Sequence, residues 1–153
     1  VTGGHFNLAA DAFSSVAGGC RNVAGTASTP TGGCVAGAQA VLGGFENTAS
    51  GLQATVGGGE VGTASGPTAS IAGGQFNTAS GGASSVLGGD ENTASGSVAA
   101  VLGGFSNSAT MFDATVSGGE SNQATGTAAS VLGGHGNAAA SSCQAIPAAP
   151  GTC

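Results

Sequence analysis

Apolar β-branched residues recur along this chain on a strict period. Val1, Val16, Val41, Val56, Ile71, Val86, Val101, Val116 and Val131 each open a unit with Gly-Gly at positions 3 and 4 and Ala at position 9. The interval is fifteen residues except between Val16 and Val41, where ten more residues, containing Thr-Pro-Thr-Gly-Gly-Cys, are inserted near 26–35. Columns that stay in phase this way imply equivalent residues stacked on one another. Gly-Gly and Ser-Gly pairs leave no segment long enough for a stable helix. Alternation within a unit predicts two short strands. One runs through positions 13 to 2, as in Ala83-Ser84-Ser85-Val86-Leu87, and the other through positions 7 to 10, as in Asn92-Thr93-Ala94-Ser95.

The expected fold is therefore all-β: a parallel β-solenoid, or β-roll, of about nine coils. At one strand spacing of about 4.8 Å per coil it forms a rod roughly 43 Å long. The repeat domain spans residues 1–141, and residues 142–153 form a tail bearing two cysteines. Positions 1, 9 and 14 point inward, so the interior is thin and the two strands face each other closely.

Position 7 is Asn in eight units, Asn7, Asn22, Asn47, Asn77, Asn92, Asn107, Asn122 and Asn137, and Gly62 in the ninth. Stacked amides can bond along the solenoid and satisfy turn backbone, so these residues are expected to form a structural ladder. None lies in an Asn-x-Ser/Thr acceptor. Thr48, Thr63, Thr78 and Thr93, with Ser50, Ser65, Ser80 and Ser95 two residues on, are expected to point outward as a hydroxyl face. Position 2 also points outward yet carries Leu42, Leu87, Leu102 and Leu132. Together with Phe45 and Phe105 at position 5, these leucines are the expected assembly interface.

Composition sharpens this picture. Gly supplies 32 of 153 residues, 40% of the chain is apolar, and only eight side chains are Lys, Arg, Asp or Glu. Disorder normally comes with more charge and fewer apolar residues. A surface so poor in charge favours self-association over a soluble monomer. The net charge of −6, with a single Lys or Arg (Arg21), offers nothing to nucleic acid or an anionic membrane. No apolar run is long enough to span a bilayer, and no signal-peptide pattern is present. A chain opening at Val1 without Met reads as a processed secreted protein or an excised segment.

Four cysteines in an extracellular-looking chain suggest disulfides. Three pairings exist; the local one, Cys20 with Cys34 and Cys143 with Cys153, is the most economical, each loop being worth on the order of 3 kcal/mol. Intermolecular bonds are a further option. Zinc is disfavoured for want of a close Cys-x-x-Cys pair.

Ser85-Val86-Leu87-Gly88-Gly89, Ser130-Val131-Leu132-Gly133-Gly134 and the Asn-x-Ala-x-Gly segments resemble the YadA-like β-roll head repeats of trimeric autotransporter adhesins, here in a fifteen-residue form. The resemblance covers nearly the whole chain from Val1 to Ser141. It implies a left-handed roll, a trimer of rolls side by side, and adhesion outside a bacterium.

Nothing in the sequence suggests catalysis. Of the seven carboxylates, Glu46, Glu60, Asp90, Glu91 and Glu120 fall at positions 5 and 6 as a solvated rim, with no cleft to oppose two of them. The Gly-Gly pairs lack the residues of a phosphate loop, and the units do not match the calcium-binding nonapeptide. No cofactor or metal is expected. His5 and His135, both at position 5, would meet only across a head-to-tail junction. The expectation is a non-enzymatic extracellular or cell-surface structural protein, bacterial in origin. It self-associates as a trimer or head-to-tail fibre, as a fibre subunit or adhesin head, with a host or matrix surface as a further partner. The alternative is an ice-binding (antifreeze) β-solenoid using the Thr/Ser array.

Overall fold

A computed structural model describes residues 1–26 and 37–147 of the chain. The body of the predicted insertion with Cys34, and the chain end with Cys153, lie outside the described residues. The remainder is an all-β solenoid of about nine turns. Eighteen two-residue strands among the described residues fall alternately at positions 8–9, from β1 (Leu8–Ala9) to β17 (Ala138–Ala139), and at positions 15–1, from β2 (Ser15–Val16) to β18 (Ala145–Ile146). Odd strands form one nine-stranded parallel sheet and even strands the other, each in chain order. Register is one repeat throughout: Ala94 stands between Ala79 and Ala109, and Val86 between Ile71 and Val101. The ten-residue insertion does not disturb it, because Val16 still pairs with Val41 and Ala24 with Ala49.

The interior holds what the alternation predicts. Val or Ile at position 1, from Val16 to Val131, is at most 2% exposed, and Ala at position 9, from Ala24 to Ala139, is fully buried. At position 14 Ala54, Ala69, Ala99, Ala114 and Ala129 are fully buried, and Gln39 and Ser84 almost so. The apolar side chains among them form one continuous cluster along the rod. One valine per coil contributes only about 1.5–2 kcal/mol by burial. Cohesion therefore also depends on the backbone bonds that join each coil to the next.

Two expectations about the chain path need correction. Each strand is two residues long, not four or five, and a residue in the left-handed region precedes it at position 6 or 13 of each coil. Most are not glycine: Phe6, Glu46, Val61, Glu91, Ser121, Gln53, Thr68, Val98 and Asp113 all have φ between 54° and 62°. Such a conformation is rare for non-glycine residues, and for Val61 and Val98 it is a strained one. In addition, the solenoid does not stop at residue 141. Ser130 and Val131 pair with Ala145 and Ile146, and Ile146 packs against the core as the position-1 residue of a further coil.

Candidate functional site

The Asn column builds the best-defined polar structure in the molecule. Position 7 enters the interior just after the Gly-Gly turn, where backbone carbonyls of two coils converge. Asn92 shows the pattern: its Nδ2 donates to Gly88 O in its own coil (3.0 Å) and to Gly104 O in the next (2.9 Å). Its Oδ1 accepts the N–H of Asn107 (3.0 Å). Asn22, Asn47, Asn107 and Asn122 repeat the triad on their own neighbours. The ladder runs mainly from side chain to backbone; the one amide-to-amide bond is Asn22 Nδ2 to Asn7 Oδ1 (3.2 Å). Each rung gives the position-3 carbonyl and the N–H of the next coil's position 7 a partner, and adds a second donor to a position-4 carbonyl that already accepts a backbone N–H.

That convergence explains the second glycine of each pair. At Gly89 φ is +83°, and a Cβ there would lie 2.2 Å from Gly104 O and 2.6 Å from Asn92 Nδ2. Around the first glycine, Gly88, there is open space. Gly62 breaks the ladder, so Asn77 has no Asn Oδ1 before it. A Cβ at 62 would sit 3.7 Å from Ile71 Cδ1. Ile71, the only Ile at position 1 from Val1 to Val131, thus carries its extra methyl beside the coil in which Gly62 replaces Asn.

Positions 8 and 10 form the outer face of the odd sheet. Thr48, Thr63, Thr78 and Thr93 stand in direct register and continue into Ser108 and Gln123. The threonines are half-buried, and of Ser50, Ser65, Ser80 and Ser95 the last three are exposed. The even sheet shows position 2 outward, with Leu42 59%, Leu87 54%, Leu102 44% and Leu132 65% exposed. Beside the leucines runs a second stack of small residues at position 15: Ser15, Ala40, Thr55, Ser70, Ser85, Ala100, Thr115 and Ser130. The signal for this column was already in the alternation that sends position 15 outward.

Position 5 is itself a ladder of isolated parallel bridges, running from His5 through Cys20, Phe45, Glu60, Gln75, Asp90, Phe105 and Glu120 to His135. It holds Phe45 and Phe105, both exposed and four coils apart on the Gly-Gly edge. His5 contacts the Phe6 ring, and His135 Nε2 lies 3.8 Å from Glu120 Oε1; the two histidines stand at opposite ends of the column. Among the described residues no three His, Cys, Asp or Glu side chains converge as metal ligands would. Cys20 and Cys143 are free thiols among the described residues, and their expected partners lie outside them. A scan against protein-family models finds no match to this chain, and a search of curated proteins finds no relative.

Sorted by position, the charges show a further order. Asp11, Arg21, Glu46, Glu60, Asp90, Glu91, Asp113 and Glu120 fall at positions 5, 6, 11 and 13, all at turns. Arg21 pairs with Glu46 at 2.8 Å and Gln75 donates to Glu60 at 2.9 Å on the Gly-Gly edge. No charged side chain projects from either sheet face. The opposite edge carries an apolar group that the repeat consensus does not announce: Met111 and Phe112 beside Val98 of the preceding coil, all exposed. Met111 takes the place that Gly occupies in five other coils.

Proposed function

We propose that this chain is a non-enzymatic structural repeat protein of the cell exterior that associates with copies of itself, as the subunit of a surface or matrix fibre or as an adhesin head. The observation that carries the reading is the segregation of charge. All eight charged side chains are placed at turns, while the even sheet offers four exposed leucines and small neutral residues along the full length of the rod. Apolar surface of that extent, without charge, is favourable to cover and leaves no ion stranded. The resemblance of Ser85–Gly89 and Ser130–Gly134 to autotransporter head repeats supports an extracellular bacterial setting and, with it, adhesion to a host or matrix surface.

Sedimentation of the full chain across a wide concentration range, combined with electron micrographs of reduced and non-reduced samples, tests the reading. Species larger than one chain are expected in both redox states. Single chains at every concentration overturn it.

A second reading, ice binding, is favoured by one specific observation: the direct register of Thr48, Thr63, Thr78 and Thr93 with a parallel row of Ser two residues on. Hydroxyls then repeat at about 4.8 Å along the rod and about 6.6 Å across it. Thermal hysteresis that Thr78→Lys abolishes would establish it in place of the first reading.

A further inference from the structure

Resting on the self-association proposed above, we propose that the partner of the leucine face is a second copy of this chain, packed antiparallel about a two-fold axis. The axis runs along the strands, midway between the level of Ser70–Ala72 and that of Ser85–Leu87. It matches the two outward columns of the even sheet to themselves in reversed order.

Between Thr2 at one end and Pro147 at the other, which the same axis sets on each other, position 2 reads along the rod Ala17, Leu42, Gly57, Ala72, Leu87, Leu102, Ser117, Leu132. Reversed and laid on itself with full overlap, it sets Leu132 on Ala17, Leu42 on Ser117, Leu102 on Gly57 and Leu87 on Ala72. Every leucine meets a small residue and none meets another leucine. The same operation acts on position 15, whose stacking is fixed by strand register. There Thr55 meets Ala100, Thr115 meets Ala40, Ser70 meets Ser85 and Ser15 meets Ser130. Summed bulk stays nearly constant from level to level in both columns, which is what close packing of two surfaces demands.

Neighbouring arrangements lose this property. Sliding one copy by a single coil in one direction sets Leu42 on Leu102, and in the other sets Leu42 on Leu132 and Leu87 on itself. Packing the rods parallel brings position 2 over position 15 of the same level. Leu87 and Leu102 then stand proud on Ser85 and Ala100, while Ala72 over Ser70 leaves a gap. A two-fold interface uses one patch twice, so the antiparallel register is specified by pairs that each occur twice.

The size of the face sets the strength. Eight levels at about 4.8 Å and three residues at about 3.3 Å give a footprint of about 400 Å² on each copy. That total lies below the range of permanent complexes and in that of reversible ones. With no charged side chain at position 2 or 15, association carries no cost of ion desolvation. A dimer that forms and dissociates with concentration is the expected form.

The test is a compensating swap read by sedimentation equilibrium on reduced full-length chain. Ala72→Leu puts leucine on leucine twice per dimer, and Leu87→Ala empties two contacts. Each is expected to weaken dimerisation at least about tenfold. The double variant restores one large and one small residue at both sites and is expected to return to within about threefold of wild type. Leucine already occupies position 2 in four coils, and equal thermal midpoints for all four proteins check that folding is not the cause. A double variant no tighter than the weaker single variant overturns the antiparallel register while self-association stands. A wild-type chain that never associates overturns both.

Discussion

The two edges of the solenoid turn the chain by different means. At the Gly-Gly edge, Asn at position 7 ties three backbone groups of two coils with its side chain, and the positions that take part barely vary: the pair of glycines never changes and Asn fails once, at Gly62, while positions 5 and 6 between them, joined to neighbouring coils by backbone bonds, vary freely. At the opposite edge the bonds belong to the backbone. Ala99 N–H closes the turn on Gly96 O, and Val98 N–H reaches Gly82 O of the preceding coil. There position 11 accepts Asp11, Met111 and Ser141 as well as Gly, and the ten-residue insertion enters at this edge. Asp11 secures its base, taking the Thr26 N–H at 2.9 Å and Gln39 Nε2 at 3.2 Å on one carboxylate oxygen. Where side chains carry the coil-to-coil bonds the sequence is locked; where the backbone carries them, it is free to vary.

Substitutions can break or sharpen this contrast, and the largest effect belongs to the stitched edge. Asn92→Ala removes three hydrogen bonds and leaves the Gly88 carbonyl and the buried Asn107 N–H without their partner, while Gly104 O keeps only the Asp90 N–H. We expect a loss of about 4 kcal/mol in urea unfolding; a loss under about 1 kcal/mol would show the ladder to be incidental. Glycine substitutions compare the edges directly. Gly89→Ala meets both a positive φ and a carbonyl, and should cost about 3 kcal/mol. Gly81→Ala also approaches a carbonyl, at 1.9 Å from Gly96 O, but lies at a position where Met111 shows that the backbone adapts. It should cost about 1 kcal/mol, and equal melting shifts for the two would remove the distinction.

A third change repairs the one missing rung. Gly62→Asn with Ile71→Val returns the Asn triad and vacates the space beside it, for a gain of about 2 kcal/mol in denaturation midpoint analysis. Gly62→Asn alone should gain less, because its Cβ would lie 2.9 Å from Asn47 Oδ1 and already touch Val56 Cγ1 and Ile71 Cδ1, leaving the amide little room to settle. The smallest effect lies inside the freer edge. Ser84 sits at position 14 among alanines, buried, with its hydroxyl unpaired. Ser84→Ala should stabilise the chain by about 1 kcal/mol, and a destabilised variant would reveal a partner for that oxygen.

Much of this is legible in the sequence. A fifteen-residue period with invariant Val, Gly-Gly and Ala identifies a solenoid, since only stacking makes every unit obey the same rules. Alternation about Val86 and Ala94 assigns inside and outside correctly. Asn92 and its counterparts were readable as a ladder, though their bonding to carbonyls in place of one another was not. The left-handed residues at positions 6 and 13 were invisible: Phe6, Glu46, Val98 and Asp113 share no composition, and the conformation is imposed by closing a coil on only fifteen residues. The alternation sends position 15 outward with position 2, but Ser, Thr and Ala follow one another there in no fixed order, so the column's match to the leucines shows only once the coils are stacked.

What the sequence determined by itself was everything that repeats. Periodic hydrophobicity specifies the period, the faces and the direction of each side chain, because each follows from neighbours along the chain. Tertiary structure decided what depends on the next coil: which carbonyl Asn92 finds, why Gly89 has no room for a Cβ while Gly88 does, and which small residue stands beside each leucine on the outer face. Those are contacts between residues fifteen apart. Stacking brings them within bonding distance, and no property of either residue alone announces the meeting.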